Sequence, residues 1–133
     1  MSTLETSPTP KWMLWTGRFI SVLPVLMLIM SGVMKFNLPE SAVQQMTQRG
    51  WDPKIVPALA VIELSATFLY ILPQTAVLGA ILLTGYLGGA ICTHVNHSEF
   101  SSVVLPLALG VLVWLGLYFR DHRIRSLAPL RTF

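Results

Sequence analysis

Charged side chains are scarce in this chain. They make up 11% of its 133 residues, against about 25% in soluble domains, and the mean hydropathy is +0.65. So few charges cannot cover a water-facing surface, and the length leaves room for one domain. Cysteine is scarcer still. Cys92 stands alone, which excludes an internal disulfide and a two-thiol relay, because that chemistry needs an attacking and a resolving thiol. Disulfide-forming four-helix membrane enzymes are excluded on the same ground, and Cys92 reads as a small apolar packing residue. The sequence has no internal repeats, no heptads and no long low-complexity tracts. It has no basic stripe interleaved with aromatics either, so nucleic acid is not an expected partner. The first apolar run lacks a small-x-small cleavage site and is long for a signal-peptide core; it is read as a retained span.

What the chain does have is long apolar runs: Phe19 to Met34, Ile55 to Leu72, Ala76 to Thr93 and Val103 to Phe119. Each approaches the ~20 residues that cross a bilayer. The reading is an all-α polytopic membrane protein, an antiparallel four-helix transmembrane bundle over 12–120, with spans at 13–36, 54–72, 75–94 and 102–120. Flanking it are a polar, Pro-rich segment, 1–11, expected to be disordered, and a basic tail, 121–133. Pro24 should bend or loosen the first span. The connection from Asn37 to Lys54 holds a short amphipathic helix, with Ser41 as its cap and Gly50 as its stop, and Asp52-Pro53 opens the second span. Leu72 to Thr75 is a tight turn that makes spans two and three antiparallel neighbours.

Four spans place both termini on one side, with Lys11, Arg18, Arg120, Arg123, Arg125 and Arg131; Lys35, Arg49 and Lys54 fall on the other. Six against three predicts that both termini are cytoplasmic in the cell membrane. Trp114, Tyr118 and Tyr70 are then expected at the inner interface, and Trp51 and Phe100 at the outer one. The basic residues beside apolar runs, and a pI of 9.4, point to lipid headgroups as partners.

Glu63 is the only charged residue inside a run. A carboxylate at that depth costs about 2.5–3.5 kcal/mol on insertion scales unless it is protonated, paired or facing a polar cavity. Glu63 lies eight residues in from Ile55, Tyr86 eight from His94, and Met27 eight from Lys35. At 1.5 Å per residue all three sit ~12 Å deep, at one level. Glu63, Thr67 and Tyr70 share a helical face, Tyr86, Ala90, Thr93 and His94 form another stripe, and Ser31 precedes Lys35 by one turn. Together they predict a polar funnel opening outward. Glu63 is either a ligand or proton site or structural glue bonded to Tyr86. Lys35 is a snorkelling stop or its partner, and His94 an interfacial histidine or a pH-sensitive ligand group. His94-x-x-His97 with Glu99 is too sparse for a metal cage, and no metal is expected. In the third span Gly85 and Gly89 form a G-x-x-x-G pair, and Ala80, Thr84 and Gly88 extend a small-residue stripe on a nearby face; they are expected to pack within the bundle or against a second copy, and Gly32 joins the packing set.

These residues in this order resemble the DoxX-like family of small four-span membrane proteins: Gly17-Arg18, SGVMKF (Ser31 to Phe36), Glu63, PQTAVLGA (Pro73 to Ala80), GAICTHV (Gly89 to Val95) and the tail FRDHRIRSLAPLR. The resemblance covers nearly the whole chain. It implies a fold more than a reaction. Relatives include a membrane subunit of thiosulfate:quinone oxidoreductase, proteins linked to thiol and oxidative-stress systems, and maturation factors. The leading reading is a non-catalytic subunit or binder of an apolar ligand, a quinone or lipid, at a polar site of Glu63, Tyr86, Lys35, His94, Thr67 and Ser31. Any redox activity would need a partner, because the chain has no dithiol and no metal cage of its own. The alternatives are an assembly factor that holds another membrane protein, and a small proton-coupled transporter that uses Glu63.

Overall fold

The computed structural model describes residues 8–127. The fate of segment 1–7 and of the tail beyond Leu127, Arg131 included, lies outside the described residues. The elements run α1 (Lys11–Met34), α2 (Glu40–Gln48), α3 (Val56–Ile71), α4 (Ala76–Asn96), α5 (Phe100–Arg120) and α6 (His122–Leu127). Single 3₁₀ turns, Lys35–Asn37 and Pro53–Ile55, extend α1 and precede α3. With those turns, four segments are long and apolar enough to cross a membrane: Lys11–Asn37, Pro53–Ile71, Ala76–Asn96 and Phe100–Arg120. Only 22–33% of each is buried in the bundle. The rest presents Phe19, Leu26, Val61, Phe68, Ile81, Val104 and Leu107 outward, far more apolar surface than a water-soluble monomer exposes.

The four long helices form a ring in which α1 packs against α3 and α5, and α4 against the same two; across the α3–α5 diagonal the described contacts run through the side chains of Tyr70 and Arg120. Contacts run in opposite order along neighbouring helices, consistent with an antiparallel ring: Ser21 with Tyr70 and Lys35 with Glu63 between α1 and α3, Tyr70 with Gly79 and Glu63 with Tyr86 between α3 and α4, and Gly17 with Arg120 and Ser21 with Gly116 between α1 and α5. The centre is filled by Leu28, Ala66, Ala80, Leu83, Val113 and Leu117, each nearly inaccessible.

Local chemistry fixes the connections. Gly50 ends α2 at φ +82°; its amide donates to the Thr47 carbonyl and that of Trp51 to the Met46 carbonyl, both at 3.0 Å. This is the helix-ending arrangement that favours glycine. Ser41 is not the cap, since α2 begins one residue earlier and Pro39, with no side chain able to accept a bond, holds the N-cap position. The Asp52 carboxylate accepts from the Lys54 amide at 3.0 Å and opens the second span with Pro53. Thr75 closes the α3–α4 turn, its hydroxyl donating to the Leu69 carbonyl at 2.8 Å. α1 continues unbroken through Pro24, which faces the bundle interior.

Three expectations are corrected. Gly85, Gly88 and Gly89 do not pack within the bundle, because a Cβ built on any of them meets nothing within 4 Å. The close approaches are made by Gly79, where a Cβ would collide with the Tyr70 backbone, and by Gly17, where it would lie 2.8 Å from the Arg120 amide. Gly32 does pack, against Leu64 at 2.7 Å from its built Cβ. Cys92 is exposed, because it falls on the outward side of α4. Tyr70 is fully buried, not interfacial. Its hydroxyl donates to the Val113 carbonyl at 2.7 Å and lies 3.0 Å from the Ser21 hydroxyl, so one phenol joins α1, α3 and α5.

Candidate functional site

Glu63 is 1% exposed on the inner face of α3. Its Oε2 accepts from Lys35 Nζ at 2.6 Å and from the Tyr86 hydroxyl at 3.2 Å. Lys35 reaches it from the end of α1, and Tyr86 from α4, so the carboxylate ties three helices. The same ammonium donates to Ser31 Oγ at 2.7 Å and sits 5.8 Å from the Tyr86 ring centroid. Of the pair, Glu63 is sealed, with its side chain 2% exposed, while Lys35 keeps 22%. The charge is therefore desolvated on one side and open on the other. Thr67 takes no part in the cavity: its hydroxyl donates backward to the Glu63 carbonyl at 2.7 Å and is buried.

Above this floor is a cavity of about 530 Å³. Ser31, Lys35, Glu63, Tyr86 and His94 line it, so five of the six polar candidates converge there. Met27 lies in the same wall. The remaining wall is apolar, with Met30 and Met34 from α1 and Leu105, Pro106 and Leu109 from α5. Sequence reasoning gave α5 no part in the site, and an apolar wall in an apolar span carries no signal to find it by.

At the mouth, His94 Nδ1 lies 2.9 Å from Glu99 Oε2, and Arg49 donates to Glu99 Oε1. This cluster links α2 to the α4–α5 connection. The hydrogen bond with His94 holds the Glu99 carboxyl below its ordinary value of 4.5; partial burial opposes this, and the charges of Arg49, His94 and His97 support it. The sequence does contain a signal for the cluster, in three ionisable groups flanking two polar connections, but nothing in it says that connections fifty residues apart meet.

At the opposite end of the ring, where α1 begins and α5 ends, Arg120 Nη2 donates to the Tyr70 carbonyl at 2.9 Å, and its Cζ lies 4.4 Å from the Tyr70 ring centroid. Trp114 also departs from the expected inner belt: its indole Nε1 donates to Thr84 Oγ1 at 2.7 Å, well inside α4.

The arrangement can hold a polar head against an ammonium and a phenol while its apolar remainder lies along methionine and leucine side chains. No curated protein and no solved structure matches the chain. The profile of the DoxX-like family matches residues 19–116, a stretch that contains Glu63, its two partners, the second and third apolar helices whole and most of the first and fourth. The chain is a multi-pass membrane protein and belongs to the DoxX-like family.

Proposed function

We propose that this protein is a non-catalytic membrane subunit that binds an apolar molecule with a carbonyl-bearing head, a quinone or a lipid, in the cavity above Glu63. The observation that carries the reading is the join of a buried ion pair to an apolar wall. A volume of about 530 Å³ falls within the ~300–1,000 Å³ usual for small-molecule sites, which combine apolar lining with a few placed polar groups. Lys35 Nζ has three donors and uses two of them at short range, on Ser31 Oγ and Glu63 Oε2. The third has only a long contact, to the Ser31 carbonyl at 3.5 Å, which a carbonyl oxygen entering from the open side can replace. Glu63 sets the position of that ammonium, and Tyr86 braces Glu63. Both termini face the cytoplasm in this reading, which places the cavity toward the outer leaflet.

The test is solvent extraction and mass spectrometry of the purified chain, beside Ala90→Trp, which fills the cavity from α4 without touching the ion pair. A quinone or lipid near one per chain that is lost in Ala90→Trp supports the reading. An equal content in both proteins sinks it. A second reading, an assembly factor for another membrane protein, is favoured by Gly85, Gly88 and Gly89, which leave bare backbone on the outer surface of α4, where another helix can approach closely. A stable protein partner released by Gly85→Leu, with no small molecule in the extract, would favour it.

A further inference from the structure

At the end of the ring opposite Glu63, a second and larger cavity of about 870 Å³ opens between α1, the α3–α4 turn and the α5–α6 junction. Three arginines line it, Arg18, Arg120 and Arg123, against one carboxylate, Asp121. Asp121 is already engaged, with its Oδ1 accepting from the Arg123 amide at 2.9 Å. Among the described residues none of the three guanidinium groups has a carboxylate within ion-pair distance. Arg120 is held in place by the Tyr70 carbonyl and ring, yet its Nε is buried with no hydrogen-bond partner among the described residues. The three positive charges face one engaged carboxylate, and an anion in the cavity would meet that excess charge.

Below the arginines the wall turns apolar, with Val22 and Val25 of α1, Ile71 of α3 and Leu117 of α5. Val22 is 49% exposed and faces out of the bundle. The cavity therefore continues from a cationic mouth onto surface that lipid tails cover. A bare anion would satisfy the arginines and leave the apolar wall bare. Guanidinium groups match phosphate oxygens in geometry, and basic pockets between membrane helices take anionic headgroups.

We propose that this cavity is a binding site for an anionic phospholipid, with the phosphodiester held among Arg18, Arg120 and Arg123 and an acyl chain lying along Val22, Val25 and Ile71. The site is separate from the Glu63 cavity and does not depend on what that cavity binds. It fixes one lipid at the end of the bundle where α1, the α3–α4 turn and α5 meet.

Native mass spectrometry of the full chain released from detergent tests it, with phosphatidylglycerol, phosphatidylcholine and inorganic phosphate each titrated separately. The expected result is one phosphatidylglycerol per chain, held more tightly than phosphatidylcholine. Arg18 and Arg123 are exposed, so the double variant Arg18→Gln/Arg123→Gln keeps the fold. It should weaken that lipid about thirtyfold, and each single variant about fivefold, from the usual contribution of a basic residue at an anionic lipid surface. Lys11→Gln/Lys54→Gln removes the same charge outside the cavity and should leave binding unchanged. Equal loss in that control, equal binding of phosphatidylcholine, or displacement of the lipid by millimolar inorganic phosphate would each overturn the proposal.

Discussion

The Lys35–Glu63 pair is asymmetric, and its two members should respond differently to mutation. Glu63 touches the cavity but is almost wholly enclosed, whereas Lys35 keeps an open side toward it. Lys35→Met leaves a buried carboxylate with only a phenol beside it, an arrangement that costs about 3–5 kcal/mol in water-soluble cores unless the group takes up a proton. Glu63→Gln leaves an ammonium that can turn toward solvent, and the amide still accepts from Tyr86, so the loss should stay within the ~0.5–1.5 kcal/mol of an ordinary hydrogen bond. The double variant Lys35→Met/Glu63→Gln should regain much of what Lys35→Met loses. Melting temperatures of the four proteins in one detergent decide it, and additive losses would mean that the two side chains act independently. Equal depth from the outer helix ends brings Glu63, Tyr86 and Met27 to one level, whereas Lys35, at the outer end of its span, reads either as a partner of Glu63 or as a snorkelling stop. Thr67 was misplaced by the same reasoning, because helical spacing identifies a face and cannot say whether a hydroxyl on it points across the bundle or back to its own helix.

Among the helices, glycine position decides cost. Gly79→Ala would push α3 and α4 apart at the Tyr70 backbone and should destabilise by about 1–3 kcal/mol, as overpacking does. Gly85→Ala meets nothing and should stabilise the isolated chain by up to about 1 kcal/mol through helix propensity. Thermal unfolding that ranked these two the other way would mean that α4 packs with a different face inward. The G-x-x-x-G spacing was legible in the sequence; which of several small residues touches a neighbour was not, since it depends on the rotation of α4 about its axis. The contact between α2 and the α4–α5 connection makes a pH prediction. Because the Glu99 carboxyl titrates below its ordinary value of 4.5, its bonds to His94 and Arg49 contribute fully above that value and fade as pH falls through the lowered one. Melting temperature measured downward from neutral pH should keep this contribution until the pH has fallen below that ordinary value. Glu99→Gln should melt lower at neutral pH and show a smaller acid-dependent fall; an unchanged acid limb would remove Glu99 as its source.

For the whole molecule, four spans, their order and their tight connections could be read from hydropathy, charge and turn residues. Ring closure through α1 and α5 was not read from it: the two spans approach through small residues, Gly17 and Ser21 against Gly116, and the spacing of small residues in a span does not say which other span they meet. The proposed orientation rests on six basic residues against three. With Cys92 replaced by serine, a cysteine at Ser126 should resist a membrane-impermeant maleimide in intact cells and one at Ser98 should react. The reverse pattern would invert the protein in the membrane.

Lys35 precedes Glu63 by 28 positions, and that order matters while the chain is still being made. At about 5–20 residues per second the lysine leaves the ribosome some 1.5–6 s before the glutamate. The first span can therefore be seated with its ammonium waiting when the acidic segment reaches the insertion machinery. A nascent chain carrying Lys35→Met would present the same carboxylate to lipid with no counter-ion in place, until Tyr86 arrived 23 residues later. Glycosylation mapping of truncated chains ending between the second and third spans should then show poorer integration of the second span than in the parent chain. In the parent, chain order gives the only acidic residue of the membrane interior a partner before it needs one.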